Sequence, residues 1–467
     1  MSLQVIIIAA YLVLTIMIGY MAASKGGSSS KAFHGAGLGF FMCVAAGTGE
    51  WLGGTSTTGV AEYAYSFGIS GAWYTIANGI GVAVLAIFFA KLYRSLNVVT
   101  VPAILGKFAG PAVRSGASFL LMFVMIAVGT AQVVGAGALG VSVLGIDFTL
   151  SVIILGIGFI VYTLFGGMLA VAYTNILHVA TMYGGVILAL AVVSLELGGV
   201  TQIFAKLPAE PYGSMMGVGK GTVFSWIIAS VLGACTAQAG IQPLLAAKDE
   251  KTAVRAAFAT ALLIAPFGLI VAMLGMAARL QYPDLANAKL ALPTLMMGMH
   301  PLVGGAVLAS IMAAILSTIS PLILATGTMF TVDIYKGRIN PGASDDKIMK
   351  VSRLSTGISG VICIVLALLL YGTTRILDMV YFAYTLRGSL FVILLYAIYW
   401  RKSTNNGAFR SMVFTAIVGF FWVAWKAVFG VFPIHPSFSE TFAAVLAASI
   451  SMPLLSLLEK KPVNESR

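Results

Sequence analysis

Two stretches carry residues whose types and spacing can do chemistry inside an otherwise apolar chain. The first is GTGEWLGGTSTTG, residues 47–59, where Glu50 and Trp51 stand among Gly47, Gly49, Gly53, Gly54 and Gly59. So many glycines disfavour a continuous helix. Backbone uncoiled at membrane depth persists only where its freed carbonyls and amides find partners or line a cavity, and freed carbonyls suit a small hard cation. The second stretch is ASIMAAILSTISPLILATGTMFTVDIY, residues 309–335. Its Ala314, Ser317 and Thr318 stand at i, i+3 and i+4 and so share one helix face. Pro321 cannot donate to the carbonyl four residues back, which loosens the ladder beside them. Hydroxyls and loosened carbonyls together would make a neutral oxygen cage suited to Na+. The plainer use of Ser and Thr in membrane helices is a bond back to their own backbone, and spacing alone leaves both open.

Glu50 poses a separate question. An ionised acid at mid-membrane costs at least ~2.5–3.5 kcal/mol by insertion scales, so it must face a cavity or a partner. Three uses are open: pairing with a cationic group on a transported solute, carrying a proton, or pairing with Arg387, a basic residue deep within a later apolar span.

The elements that must position these groups follow from composition. Of 467 residues, 60% are hydrophobic and 9% charged, whereas soluble domains carry roughly 25% charged residues. Apolar runs long enough to cross a bilayer recur from end to end. The chain is an all-α polytopic membrane protein with about thirteen spans: 3–23, 37–66, 73–93, 115–141, 149–168, 172–195, 222–245, 252–279, 301–330, 350–371, 377–400, 408–430 and 437–457. The first span lacks a charged leading region and a small-residue cleavage site, so it is expected to remain as a helix.

The net charge of +12 does not point to nucleic acid. Alternating loops divide the basic residues, with 20 of the 27 Lys and Arg on one side, including Lys31, Lys460, Lys461 and Arg467. The positive-inside rule then expects the N-terminus outside and the C-terminus in the cytoplasm, in a cell (inner or plasma) membrane. Cys43, Cys235 and Cys363 fall within spans as small packing residues, with no disulfide framework and no metal-ligand spacing. The 331–349 and 196–221 segments, including KGRINPGASDD, read as loop-sized connectors, and EKKPVNESR as a short polar tail.

Helix quality is uneven in an informative way. Span 37–66 holds the glycine cluster, and five spans later span 222–245 holds Gly233, Gly240 and Pro243. Two interrupted helices at corresponding places point to an inverted-repeat transporter with its site at the breaks. The halves would be 37–195 and 196–400, with the peripheral first helix and loop in 1–36 and the peripheral last two helices and tail in 401–467. GTGEWLGG also mimics part of a dinucleotide fingerprint, but no strand precedes it and no βαβ unit exists.

Four stretches resemble the sodium:solute symporter family: AAILSTIS with TVDIYK, GGMLAVAYTNILH at 166–178, QPLLAAKDEKTAVRA at 242–256, and EWLGGTSTTGVAEYAYSFGISGAW, which is similar to the choline-transporter branch. The resemblance implies a LeuT-type five-plus-five inverted repeat with two broken helices. It also implies a Na+ site made by the carbonyls of Gly49, Leu52 and Ala314 and the hydroxyls of Ser317 and Thr318. Trp51 matches a tryptophan that stacks on a quaternary ammonium in the choline branch, although the second tryptophan of that cage aligns with Ala237. Two positions depart from the pattern: Asn175 stands where several members carry Asp, and Pro321 where a hydroxyl is common. Both remove ligands from a second cation site, so one Na+ per substrate is expected. Ser56, Thr236 and Gln238 are further candidates for the substrate site, Glu62 for an interhelical hydrogen bond, and His178 replaces the family's usual Gln.

The expectation is therefore a sodium-coupled symporter of a small polar organic solute, amine-bearing or zwitterionic, working in a lipid bilayer by alternating access. Oligomeric state is not legible. A proton-coupled carrier using Glu50 and a non-transporting membrane sensor are the alternatives. A channel is disfavoured because no filter-like segment repeats, and an enzyme because no nucleophile–base pair or metal constellation occurs.

Overall fold

The computed structural model describes residues 3–26, 37–372 and 375–459, and among them every regular element is a helix. Of the basic residues behind the orientation expectation, Lys31, Lys460, Lys461 and Arg467 lie outside the described residues, as does the tail from residue 460. Helix α1 is Leu3–Gly26. The first interrupted span is α2, Phe40–Trp51, followed by a π-helical turn Thr55–Gly59 and α3, Val60–Phe67. A short 3-10 turn, Gly68–Ala72, sends the chain back as α4, Trp73–Val84, which winds on through Ser95. The reversal is visible at its ends, since Leu38 N–H and Arg94 Nε reach the neighbouring carbonyls of Ala246 and Ala247.

After α5, Val101–Ala109, come α6, Pro111–Leu144, and α7, Phe148–Leu197. Sequence reading separates two spans here, at 149–168 and 172–195, and the structure agrees: the helical path breaks at Gly167, with one apolar helix, Phe148–Leu164, before it and another, Ala170–Leu197, after it. Gly167, at φ +59 and ψ −170, supplies the kink that a residue with a side chain would resist.

The second half repeats the plan. Its interrupted span is α8, Lys220–Ala234, and α9, Gln238–Leu245, followed by α10, Glu250–Gln281. Asp249 caps α10 by accepting the Thr252 N–H at 2.7 Å, which holds its exposed carboxyl below the usual range. Then follow α11, Ala291–Met297; α12, Pro301–Met329; α13, Asp345–Leu370; and α14, Ile376–Tyr399. Helices α15, Asn405–Phe429, and α16, Glu440–Leu457, pack on one another and lean on α14.

The packing shows a swapped symmetry: α4 lies against α8 as α10 lies against α2 and α3, and α6 lies against α14 as α7 lies against α12. Helix α12 is buried on every side from Val307 to Met329, which explains a sequence apolar all round its axis. By contrast α15 leaves Phe414, Ile417 and Phe421 exposed, as a lipid-facing helix must. The expected 331–349 loop is shorter than the sequence suggests, because Phe330–Ile339 continues α12 as a π-helix. Asp333 pins that extension by accepting bonds from Thr100 Oγ1 at 3.0 Å and Arg114 Nε at 2.8 Å.

Candidate functional site

The first break is a helix ladder with its rungs reassigned. Helix α2 ends at Leu52 (φ −103, ψ 61), whose N–H still bonds Thr48. In a continuous helix the N–H groups of Gly53 and Gly54 would meet the carbonyls of Gly49 and Glu50. Here both carbonyls go to α12 instead. Ser317 Oγ lies 2.8 Å from Gly49 O and 2.8 Å from Ala314 O. Thr318 Oγ1 lies 2.7 Å from Gly49 O and 3.0 Å from Glu50 O. At the other end Gly54 N–H donates to Gln132 Oε1 at 2.6 Å, and Gln132 Nε2 reaches Thr55 Oγ1 at 3.4 Å.

Gly49, Ala314, Ser317 and Thr318 therefore converge from segments 265 or more residues apart. Of the two uses the sequence left for the hydroxyls, the structure displays the bond back to the helix's own backbone, from Ser317 to Ala314 O, and adds a bond from the same hydroxyl across to the break. The carbonyl that joins Gly49 at Thr318 is that of Glu50, whereas Leu52 marks the helix end. Each hydroxyl keeps lone pairs for a cation once its proton turns aside.

Close approach requires glycine at this break. A Cβ at Gly49 would stand 2.6 Å from the Asn175 amide, and one at Gly53 would stand 2.6 Å from Gln132 Oε1. Asn175 Nδ2 donates to Ser317 O at 3.4 Å, the very carbonyl that Pro321 leaves without its helical donor. Ser320 Oγ, one residue before the proline, is buried with no partner.

The second break, Cys235–Ala237, faces the side chains of the first. Glu50 and Trp51 reach α9, with Glu50 Oε2 and Trp51 Nε1 at 2.9 and 2.7 Å from where a Gly240 Cβ would lie. Arg387 on α14 rests its guanidinium 3.7 Å from the Tyr384 ring centroid and 5.5 Å from that of Trp51. Glu50 and Arg387 do not close an ion pair; among the described residues that contact occurs between Arg114 and Asp333, at 2.7 Å. Of the other candidates, Ser56 donates to Gly53 O at 2.8 Å, inside its own turn. Thr236 donates to the backbone carbonyl of Arg387 at 2.7 Å. Gln238 is taken up by the 99–101 connector, accepting the Val101 N–H at 2.6 Å.

Several site residues escaped sequence reading. Gln132 is the plainest, and its signal was that of an amide alone in a long apolar helix. From it a polar chain runs through Thr55 Oγ1 to Tyr74 OH and on to Tyr384 OH, each of the last two steps 2.9 Å. Beyond these, Trp226 stacks on Tyr381 with centroids 4.6 Å apart. That stack borders a cavity of about 500 Å3 that Arg375, Asp378, Lys426 and Glu440 also line. Glu62 makes the expected interhelical bond, accepting the Ile376 N–H at the start of α14 at 3.1 Å. His178 bonds Tyr11 of α1.

A family model described as the sodium:solute symporter family matches residues 33–415. The osmoregulated proline transporter OpuE of Bacillus subtilis (strain 168) is 26% identical, over 100% of this chain and 97% of its own. Sodium/proline symporter 2 of Staphylococcus saprophyticus is 27% identical, over 98% of this chain and 93% of its own. Among solved structures, a Na+-coupled sialic acid symporter in a substrate-bound outward-open state superposes with a TM-score of 0.83 at 18% identity, covering 99% of this chain and 100% of that one. MhsT in complex with L-phenylalanine superposes at 0.57 and 15% identity, covering 91% and 99%. These likenesses establish the shared five-plus-five fold.

Proposed function

The chain belongs to the sodium:solute symporter family, and from that premise we propose that it carries one Na+ inward with each molecule of a small polar amino or imino acid. Proline is the first candidate, because the similar curated proteins are named as proline transporters. The observation that carries the reading is the meeting of Ser317 and Thr318 hydroxyls with the carbonyls freed at the first break.

Na+ would bind among Gly49 O, Ala314 O, Ser317 Oγ and Thr318 Oγ1, with Leu52 O turned in at the helix end. The solute would bind beside it, between the two breaks, against Glu50 and Trp51, with Ser56, Thr236 and Gln238 supporting that region. Bound Na+ ties α2 to α12, so it favours the conformation in which these two helices touch. A solute that needs the same conformation binds more tightly, and linkage makes the effect reciprocal. One Na+ moving down −100 mV contributes about 2.3 kcal/mol from the electrical term. Asn175 and Pro321 support a stoichiometry of one, since neither offers a carboxylate or hydroxyl for a second ion. The basic loops support an N-terminus outside and a cytoplasmic C-terminus.

The test is uptake of labelled proline into proteoliposomes under an imposed Na+ gradient and, separately, under an imposed pH gradient. Accumulation that follows Na+ alone supports the proposal. Accumulation that follows the pH gradient in Na+-free buffer transfers the coupling to Glu50 and refutes it.

A further inference from the structure

Two opposite charges lie buried on either side of the second break, each with part of its hydrogen-bonding capacity unused. Glu50 is 5% exposed and Arg387 1% exposed. Glu50 Oε2 has no hydrogen-bond partner, nor have Nε and Nη2 of Arg387. Leaving a buried ion uncompensated costs several kcal/mol, so the pair would be expected to close on itself if its only task were mutual neutralisation. It does not close.

The surroundings explain what keeps them apart. Gly233 and Gly240 flank the uncoiled segment. A Cβ at Gly233 would lie 3.6 Å from Arg387 Nε, and one at Gly240 would lie 2.9 Å from Glu50 Oε2. The heads thus face opposite ends of Cys235–Ala237. Arg387 is held there by three contacts: the Tyr384 ring at 3.7 Å, the Trp51 ring at 5.5 Å, and Thr236 bonded to its backbone carbonyl at 2.7 Å. With these rings packed about the guanidinium, its unpartnered Nε and Nη2 are the donors left to bind, and they belong to the fork that matches a carboxylate. Glu50 sits by the first turn of α9, where a helix N-terminus favours a negative charge without satisfying its lone pairs.

We infer that Arg387 and Glu50 are the specificity-determining pair of the solute site. Arg387 takes the carboxylate and Glu50 the ammonium of one zwitterionic amino or imino acid laid along the Cys235–Ala237 break. Thr236 is a positioning residue that fixes the Arg387 backbone. This assignment rests on the symport reading and deepens it. A single small dipolar solute satisfies both orphaned ions at once, which neither a monoanion, a simple amine nor a sugar does.

The experiment uses the full chain in proteoliposomes with a Na+ gradient and labelled proline, challenged by proline amide, N-acetylproline and unlabelled proline. The parent protein should be inhibited by unlabelled proline at least about 100-fold more strongly than by either single-charge analogue. Arg387→Gln should raise the KM for proline by about 100-fold or more and abolish the preference for proline over proline amide. Glu50→Gln should do the same against N-acetylproline. Arg387→Lys, which keeps the charge and loses the fork, should fall between. Na+-induced tryptophan fluorescence should persist in all three, showing that they fold and keep the ion site. Wild-type KM for proline in either Gln variant, or wild-type transport in the double variant Glu50→Gln, Arg387→Gln, overturns the assignment. Na+-driven uptake of a sugar or monoanion with no amino-acid transport overturns it while leaving symport intact. Absence of any Na+-driven uptake and of any Na+ fluorescence response defeats the symport reading, and the assignment with it.

Discussion

Thr318→Val is the sharpest perturbation of the proposed ion site. Valine keeps the branched shape of threonine and removes only the oxygen that faces Gly49 O at 2.7 Å and Glu50 O at 3.0 Å. A hydrogen bond or dipole acting on a charged group contributes roughly 1.5–3 kcal/mol. At about 1.4 kcal/mol per factor of ten, Na+ affinity should fall about 10- to 150-fold. The half-saturating Na+ concentration for uptake should rise by the same factor, measured in proteoliposomes at clamped potential. Equilibrium titration of tryptophan fluorescence in detergent gives the binding constant without transport. Thr318→Ser restores the oxygen and should return to within about threefold of the parent, a difference of under 1 kcal/mol. The reasoning fails if the valine variant folds, transports and keeps its Na+ affinity within threefold. It fails equally if serine and valine behave alike, for then shape and not oxygen was the requirement.

Three further outcomes follow from the same geometry. Gly49→Ala places a methyl 2.6 Å from the Asn175 amide and 3.1 Å from Ser317 Cβ. Overpacking should cost about 1–3 kcal/mol, read as a lower Tm and weaker Na+ binding, and Gly49→Ala with Asn175→Ala should recover part of both. Gln132→Leu orphans the Gly54 N–H, now bonded at 2.6 Å; the loss should be about 1–3 kcal/mol of thermal stability, whereas Gln132→Glu keeps the acceptor and most of the stability. With one Na+ and a net-neutral solute, imposing −100 mV should raise the steady accumulation ratio about 50-fold, against about 2,500-fold for two Na+. Flux measured against a potassium diffusion potential separates these values.

How much of this was legible in the sequence depends on how local each signal is. The glycines around Glu50 and the i, i+3, i+4 set on α12 are patterns within one turn, and so the break and the hydroxyl stripe could both be read before any contact was known. Their meeting required the family resemblance, because nothing in residues 47–59 specifies a partner 268 residues away. Glu62 was readable as a bonded acid, since an intramembrane carboxylate must find a donor, but the Ile376 N–H at a helix start leaves no side-chain signature. Gln132 was overlooked because its meaning lies in the Gly54 amide that it satisfies. Gln238 was readable as a polar residue beside a break, but the Val101 N–H that its carboxamide accepts leaves no mark near residue 238. The separation of Glu50 from Arg387 was also beyond the sequence, for it depends on the rings of Trp51 and Tyr384 holding the guanidinium in place.

Glu50 finally suggests how ion and solute come to depend on one another. Its carbonyl oxygen lies 3.0 Å from Thr318 Oγ1, while its carboxylate reaches toward Gly240 at the other break. Carbonyl and carboxylate share one Cα, so a solute that draws the side chain toward α9 also restricts the φ and ψ of residue 50, and hence the direction of its carbonyl. Order imposed at one site lowers the ordering still to be supplied at the other. Typical couplings of this kind amount to about 1–3 kcal/mol, or roughly 5- to 150-fold in affinity. Na+ binding should therefore tighten by a factor in that range when proline is saturating. Reciprocity demands that saturating Na+ tighten proline by the same factor. In Glu50→Gln the backbone carbonyl survives, so Na+ affinity without solute should match the parent. The tightening by proline, at concentrations high enough to saturate the variant, should shrink toward unity. Paired fluorescence titrations in both orders measure every term. Undiminished coupling in Glu50→Gln would show that the two sites communicate through some path other than this residue.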